Sequence, residues 1–133
     1  MRMILASLAM LAGGAVSAET VTYDCQMGGG RGPGWVMNAY SFTVDKSALT
    51  VAVYDPMIKQ FIGHPVVTDL DLRSNGNMIF RWELKNVPTS TGGVRVVYDA
   101  FINARTGSNW VEATIPSSPF FVGPRRTGRC GAR

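Results

Sequence analysis

The sequence predicts an all-β domain of seven or eight antiparallel strands that closes into a small barrel. Three observations support this fold class. Apolar and polar residues alternate with a period of two along most of the chain. Turn-forming residues separate the alternating runs, and no segment after residue 18 shows sustained helical periodicity. Hairpin-length connections favour a closed meander, because closure removes exposed sheet edges; an antiparallel β-sandwich of the same strands is the alternative.

Four alternating runs lie in the first half of the chain after residue 18. Their apolar faces are rich in β-branched and aromatic residues, which is typical of strands. The fourth run is the clearest, because Leu70 and Leu72 share one face while Asp69 and Asp71 share the other. The four predicted strands are residues 20–27, 35–44, 49–54 and 66–73.

The second half of the chain contains four further runs. In the first of them Phe80, Trp82 and Leu84 point to one face, while Arg81 and Glu83 point to the other. The predicted strands here are residues 78–85, 94–104, 110–115 and 120–130.

Two short connections have distinctive composition. Residues 57–61 fit a single helical turn. Ser74-Asn75-Gly76 is the strongest hairpin signal, because Asn-Gly suits the two positive φ angles of a type I′ turn.

The first eighteen residues predict a secretory signal peptide. Arg2 supplies a positive start, residues 4–16 are apolar or small apart from Ser7, and Val16-Ser17-Ala18 offers a cleavage site before Glu19. The apolar run is shorter than the ~20 residues that span a hydrocarbon core, so an uncleaved anchor is the weaker alternative. We therefore expect a periplasmic or secreted protein of one domain, residues 19–133, that does not span the membrane after processing.

The two cysteines agree with an oxidising compartment. Cys25 lies near the expected mature start and Cys130 lies three residues from the end. A single pair in an exported chain predicts one disulfide that encloses nearly the whole domain. Two unpaired structural cysteines are the alternative. Isolated cysteines do not form a closed zinc shell, so we predict neither a metal site nor another cofactor.

Catalytic signals are weak. His64 is the only histidine, and it sits between Gly63 and Pro65 without a nucleophile motif nearby. Asp69 and Asp71 share a face with Arg73, which is typical of a solvated, charge-balanced surface. We therefore predict no catalytic residues and expect the protein not to be an enzyme, with a hydrolase as the weakest hypothesis.

The candidate binding residues lie on loops, on one outward face and in the basic end of the chain. The glycine-rich residues 28–34, with Arg31 and the following Trp35, and residues 88–93 are the predicted contact loops. Phe101 falls on the outward face of its strand, so either that face is covered or Phe101 forms a small exposed patch that binds a partner. The formal net charge is +4, and part of it is concentrated near the C-terminus. The arginines predicted to bind an acidic partner are Arg125, Arg126 and Arg129.

Nucleic-acid binding is not predicted. Such surfaces interleave basic residues with stacking aromatic side chains, and the C-terminal arginines lack that pattern. A solvated terminal strand that protects a sheet edge is the other interpretation of these arginines.

The two ends of the chain resemble a known family. Tyr23-Asp24-Cys25 near the expected mature start, a β-rich body and the final Cys130 are similar to the small periplasmic lysozyme inhibitors. The resemblance implies an eight-stranded barrel and a binding protein rather than an enzyme. The family's Ser-Gly-x-x-Tyr recognition loop has no match in Thr91-Gly92-Gly93 or Thr106-Gly107-Ser108. No functional residue is therefore transferred.

These observations favour a monomeric, non-catalytic binding module whose partner is a protein or small ligand of the cell envelope. An inhibitor of an envelope-acting enzyme is one concrete form. The alternatives are a structural subunit or stabilising partner of an envelope complex and a carrier of a small apolar ligand inside the barrel.

Overall fold

The computed structural model describes residues 20–28, 34–118 and 122–133, without the side chains of residues 122–124. The predicted signal peptide lies outside the described residues. The described chain forms eight strands and one short helix, in this order: β1 (Thr20–Met27), β2 (Ala39–Asp45), β3 (Thr50–Tyr54), α1 (Pro56–Phe61), β4 (Val66–Leu72), β5 (Asn77–Thr89), β6 (Gly92–Asn103), β7 (Ser108–Thr114) and β8 (Val122–Ala132).

The eight strands form a closed antiparallel barrel, so the predicted barrel is confirmed and the sandwich is not adopted. Each strand pairs with the next along the chain, and β8 pairs with β1 to complete the ring. Cys25 and Cys130 lie directly opposite each other in this closing pair and form a disulfide across 105 residues of sequence. The predicted disulfide is therefore confirmed, and it joins the two ends of the barrel sheet.

Aromatic side chains fill the described interior of the barrel. The Phe42 and Phe80 ring centroids lie 4.9 Å apart, and Trp82 stacks on Tyr98 at 5.1 Å. Tyr40 packs beside Phe42 at 5.4 Å. All five rings are nearly or completely buried. The strands therefore form a rigid support for the residues on the outside.

Helix α1 and the segment before β2 pack together at one end of the barrel. Asp55 caps the helix, where its carboxylate accepts a hydrogen bond from the Ile58 amide at 2.7 Å. The Tyr98 hydroxyl donates to the Trp35 carbonyl at 2.8 Å, while the Tyr40 hydroxyl accepts from the Met37 amide at 3.0 Å. Burial raises the pKa of both tyrosines and of Asp55.

The strand boundaries differ from the sequence prediction most in two places. Residues 35–38 were expected to begin the second strand, but they form turns because their backbone closes the barrel end, and β2 starts at Ala39. The predicted contact loop 88–93 is shorter than expected, because β5 continues to Thr89 and β6 starts at Gly92.

The β4–β5 hairpin is confirmed, but its predicted turn type is wrong. Gly76 has φ 89°, whereas Asn75 is not among the residues with positive φ. The Gly76 amide donates to the Arg73 carbonyl and the Arg73 amide donates to the Asn77 carbonyl, both at 2.9 Å. A type I turn followed by a left-handed glycine explains this pattern.

The first half of β4 has register partners on β3 but none on β5. The register between β4 and β5 covers three pairs, from Leu70 with Phe80 to Leu72 with Met78. Nearer the start of β4 the Thr68 hydroxyl donates to the Arg81 carbonyl at 2.5 Å. A groove separates the two strands there, and the neighbouring Val67 is 66% exposed.

Candidate functional site

Two aromatic side chains lie next to each other on the outer face of β6 and β7. Phe101 and Trp110 are register partners, and the buried residues next to each of them face the core. Their ring centroids lie 5.9 Å apart at an interplanar angle of 16°. Both rings are half-buried, so part of each remains at the barrel surface. The placement of Phe101 agrees with the alternation in the sequence.

Arg125 completes a stack on this face. Its guanidinium carbon lies 3.9 Å from the Trp110 ring centroid, and its Nε lies 3.4 Å from a Glu112 carboxylate oxygen. β6 and β8 flank β7 on opposite sides, so Phe101 and Arg125 approach the indole from opposite directions. We call this arrangement the Phe101–Trp110–Arg125 stack. The attraction between a cation and an aromatic face is worth about 0.5–1 kcal/mol at an exposed site.

A row of paired charges runs beside the stack. Arg81, Asp99, Glu112 and Arg125 are successive register partners across β5–β8. Arg81 binds both carboxylate oxygens of Asp99, at 2.7 and 3.3 Å, and the hydrogen bond to Asp99 raises the pKa of Arg81. The row runs positive, negative, negative and positive, so each arginine neutralises the carboxylate beside it, as the ion pairs Arg81–Asp99 and Arg125–Glu112 show.

Arg126 faces the opposite way from Arg125. Its register partner Val111 is fully buried, and its side chain is itself half-buried. The guanidinium donates to three backbone carbonyls, those of Val36 at 2.9 Å, Met27 at 3.3 Å and Gly28 at 3.3 Å. This geometry ties β8 to the chain on both sides of residues 29–33.

The other predicted binding residues are spread over the molecule. Arg129 is exposed on the same face as Arg125 and donates to the Thr106 carbonyl at 3.1 Å. Trp35 lies at the α1 end of the barrel, where it lines a groove with Met57 and Phe61. Arg31 lies outside the described residues. The three arginines that were predicted to bind an acidic partner therefore do not form one continuous basic patch.

Sequence reasoning missed Trp110, although the signal was present. Val111 and Ala113 face the core, so the same alternation that exposes Phe101 places Trp110 and Glu112 outside. Because most aromatic residues in this chain lie on inward faces, the sequence alone assigns Trp110 to the core with them. Alternation counted from the buried Val111 correctly places Trp110 on the outer face.

The side chains that the sequence offers for acid–base chemistry, those of His64, Asp69 and Asp71, are all exposed. His64 is exposed, and its Nδ1 lies 3.0 Å from the Pro65 carbonyl oxygen. Within residues 20–28, 34–118 and 122–133, no group of three metal-ligating side chains comes together. In the same part of the chain, no helix is long and apolar enough to cross a membrane.

No family model matches this sequence, and no curated protein or solved structure matches it significantly.

Proposed function

We propose that the protein is a non-catalytic binding module that acts outside the cytoplasm and binds a partner protein through the Phe101–Trp110–Arg125 stack. The observation that carries the proposal is the placement of Trp, Phe and Arg side chains together on the outside of a rigid barrel. Trp and Arg are among the residues that dominate the binding energy of protein interfaces, especially where they are already packed.

The geometry of the stack favours a protein surface over a sugar ring. A sugar packs on an open aromatic face, but Trp110 has Phe101 on one side and the Arg125 guanidinium on the other. The stack therefore presents ring edges and a half-exposed guanidinium. The neighbouring charges are already paired, so docking does not have to bury an isolated charge.

An inhibitor of an envelope-acting enzyme is the concrete form that this proposal takes. Such a protein needs a rigid convex scaffold and a small number of strong contacts, both of which the barrel and the stack supply. The alternative of a small apolar ligand carrier receives less support, because aromatic side chains occupy the described interior. A role as a structural subunit is favoured by the sparsely paired start of β4, where a strand edge and Val67 are open to solvent.

Affinity capture with residues 19–133 from an envelope extract tests the proposal. We expect a stoichiometric partner protein, and Trp110→Ala should lower its recovery at least tenfold. Arg125→Ala should lower recovery less and in a way that depends on salt. Each variant is compared with the wild type by circular dichroism, so that loss of folding is recognised.

Phe61→Ala is the matched control, because Phe61 is an exposed aromatic residue at the α1 end of the barrel. Its recovery of the partner should equal that of the wild type. Equal recovery by Trp110→Ala and the wild type would contradict the proposal, as would the absence of any partner protein.

A further inference from the structure

A second surface, on β1–β3, takes no part in the proposed function. β2 lies four strands away from β6 in the eight-stranded ring, so this surface is on the other side of the barrel from the stack. The described residues form a groove of about 540 Å³ here. That volume lies within the range of about 300–1,000 Å³ that is typical of small-ligand sites.

Side-chain size explains why a groove forms at this position. The outward residues at the start of β2 are small, namely Ala39 and Ser41. Their register partners on the flanking strands are larger: Gln26 lies opposite Ala39, and Ser41 lies between Asp24 and Tyr54. The small residues therefore form the floor and the larger ones form the walls. Pro56 and Lys59 of α1 line the same groove.

The walls carry hydrogen-bonding groups that the described protein does not use. The side chains of Gln26, Ser41, Tyr54 and Lys59 make no hydrogen bond or ion pair with another described residue. Together they offer an amide, two hydroxyl groups and an ammonium group. On the far side of the barrel, by contrast, the side chains of Arg81, Glu83, Arg95 and Arg125 are in ion pairs.

The charge of the groove is close to balanced. Arg133 binds both carboxylate oxygens of Asp24, at 2.6 and 3.0 Å, and this pairing lowers the pKa of Asp24. Two other side chains of opposite charge line the groove. Asp55, an acid, is buried, and Lys59, a base, is exposed. A strongly anionic or cationic ligand therefore finds little net attraction here.

The backbone around the groove excludes an extended peptide added as a strand. β1 is paired with β8 and β2, β2 is paired with β1 and β3, and β3 is paired with β2 and β4. Strand addition needs free backbone N–H and C=O groups at a sheet edge, and the groove lies over paired strands. A ligand in this groove must therefore be recognised by side chains.

We propose that this groove binds a neutral oligosaccharide. A sugar ring carries hydroxyl groups that both donate and accept hydrogen bonds, and the amide and hydroxyl groups of the walls match them. The C–H face of a sugar packs on an aromatic ring. Tyr54 points outward at the end of β3, is half-buried, and stacks on no other described aromatic ring. The site is independent of the stack, so a protein with both would link a glycan to a partner protein.

Titration of ¹⁵N-labelled residues 19–133 with neutral tetrasaccharides tests this inference. The probes are maltotetraose, cellotetraose and the β-1,4-linked tetramer of N-acetylglucosamine. At least one should give saturable amide shifts that centre on residues 39–41 and 54–59. Tyr54→Ala should weaken the binding at least tenfold, and Ala39→Leu should do the same by filling the floor.

Ala52→Leu is the control, since Ala52 is a half-buried outward residue of β3 that does not line the groove. It adds the same bulk as Ala39→Leu and should bind the saccharide like the wild type. The inference is overturned if none of the three probes shifts the groove residues, or if Tyr54→Ala and Ala39→Leu bind as tightly as the wild type. Trp110→Ala should leave the saccharide titration unchanged, so a failure of the proposed groove can be distinguished from a failure of the proposed stack.

Discussion

The outer faces of β6–β8 and β1–β3 belong to one barrel but carry side chains of different size on their middle strands. On β7 the outward positions include Trp110 and Glu112, whose side chains are large. On β2 the outward positions carry Ala39 and Ser41, and the surface is recessed. Because the backbone is paired on both sides in both places, the small side chains on β2 explain why a groove forms there.

The two faces also differ in how their polar groups are used. The charges beside the stack bind one another, as Arg81 does with Asp99 and Arg125 with Glu112. In the groove, Gln26 and Lys59 bind no described side chain. A surface whose charges are already paired is suited to burial under a protein, whereas unused donors and acceptors in a recess are suited to a polar small ligand.

The disulfide gives the largest expected effect, because it joins β8, which carries Arg125, to β1, which carries Asp24. Replacing both Cys25 and Cys130 by Ser should lower the free energy of unfolding by about 3–5 kcal/mol, since the link closes a loop of about a hundred residues. Urea denaturation followed by ¹⁵N amide signals measures this. Signals from the groove and from the stack should disappear at one lower urea concentration. An unchanged midpoint, or separate midpoints for the two faces, would contradict a single barrel closed by this link.

The neighbouring arginines of β8 give the next largest effect. Arg126→Ala removes a guanidinium that donates to the Val36, Met27 and Gly28 carbonyls, so we expect a loss of about 1.5–3 kcal/mol in stability. Arg125→Ala removes an exposed ion pair and a contact with Trp110, so it should cost about 1 kcal/mol or less. Chemical denaturation of both variants measures the difference. Equal losses would show that the two side chains do not have the separate anchoring and binding roles inferred from their directions.

Alternation in the sequence predicted most of the fold, and its limits show where tertiary structure decides. It placed Phe101 outside and Leu70, Phe80 and Trp82 inside, as the structure does. It wrongly placed residues 35–38 in a strand, because their conformation depends on distant groups such as the Tyr98 hydroxyl. Local periodicity contains no information about a partner 63 residues away.

The candidate surfaces were harder to predict than the strands. Arg125 and Arg126 looked like one basic patch, yet adjacent residues on a strand point to opposite faces, and only the register with β7 shows which one is anchored. The groove depends on three strands lying side by side. The small side chains of Ala39 and Ser41 therefore do not predict a groove until Gln26 and Tyr54 are known to flank them.

The smallest expected effect concerns Asp55, a buried acid at the α1 end of the groove. Burial raises its pKa above the ordinary value of 3.8 and outweighs the hydrogen bonds from the Ile58 and Met57 amides. As pH rises from about that value through the folded pKa, the unfolded chain loses the proton first, so this group makes the protein less stable. Asp55→Asn keeps an oxygen for the helix cap and cannot ionise.

The stability of Asp55→Asn relative to the wild type should therefore increase as pH rises through that window and then become constant. Urea denaturation of both proteins at pH values from 3 to 8 measures it. If the relative stability of Asp55→Asn instead falls as pH rises, the amide hydrogen bonds to the carboxylate outweigh its burial. Asp55 would then be a helix cap with a stabilised charge, which opposes the charge of Lys59 in the same groove.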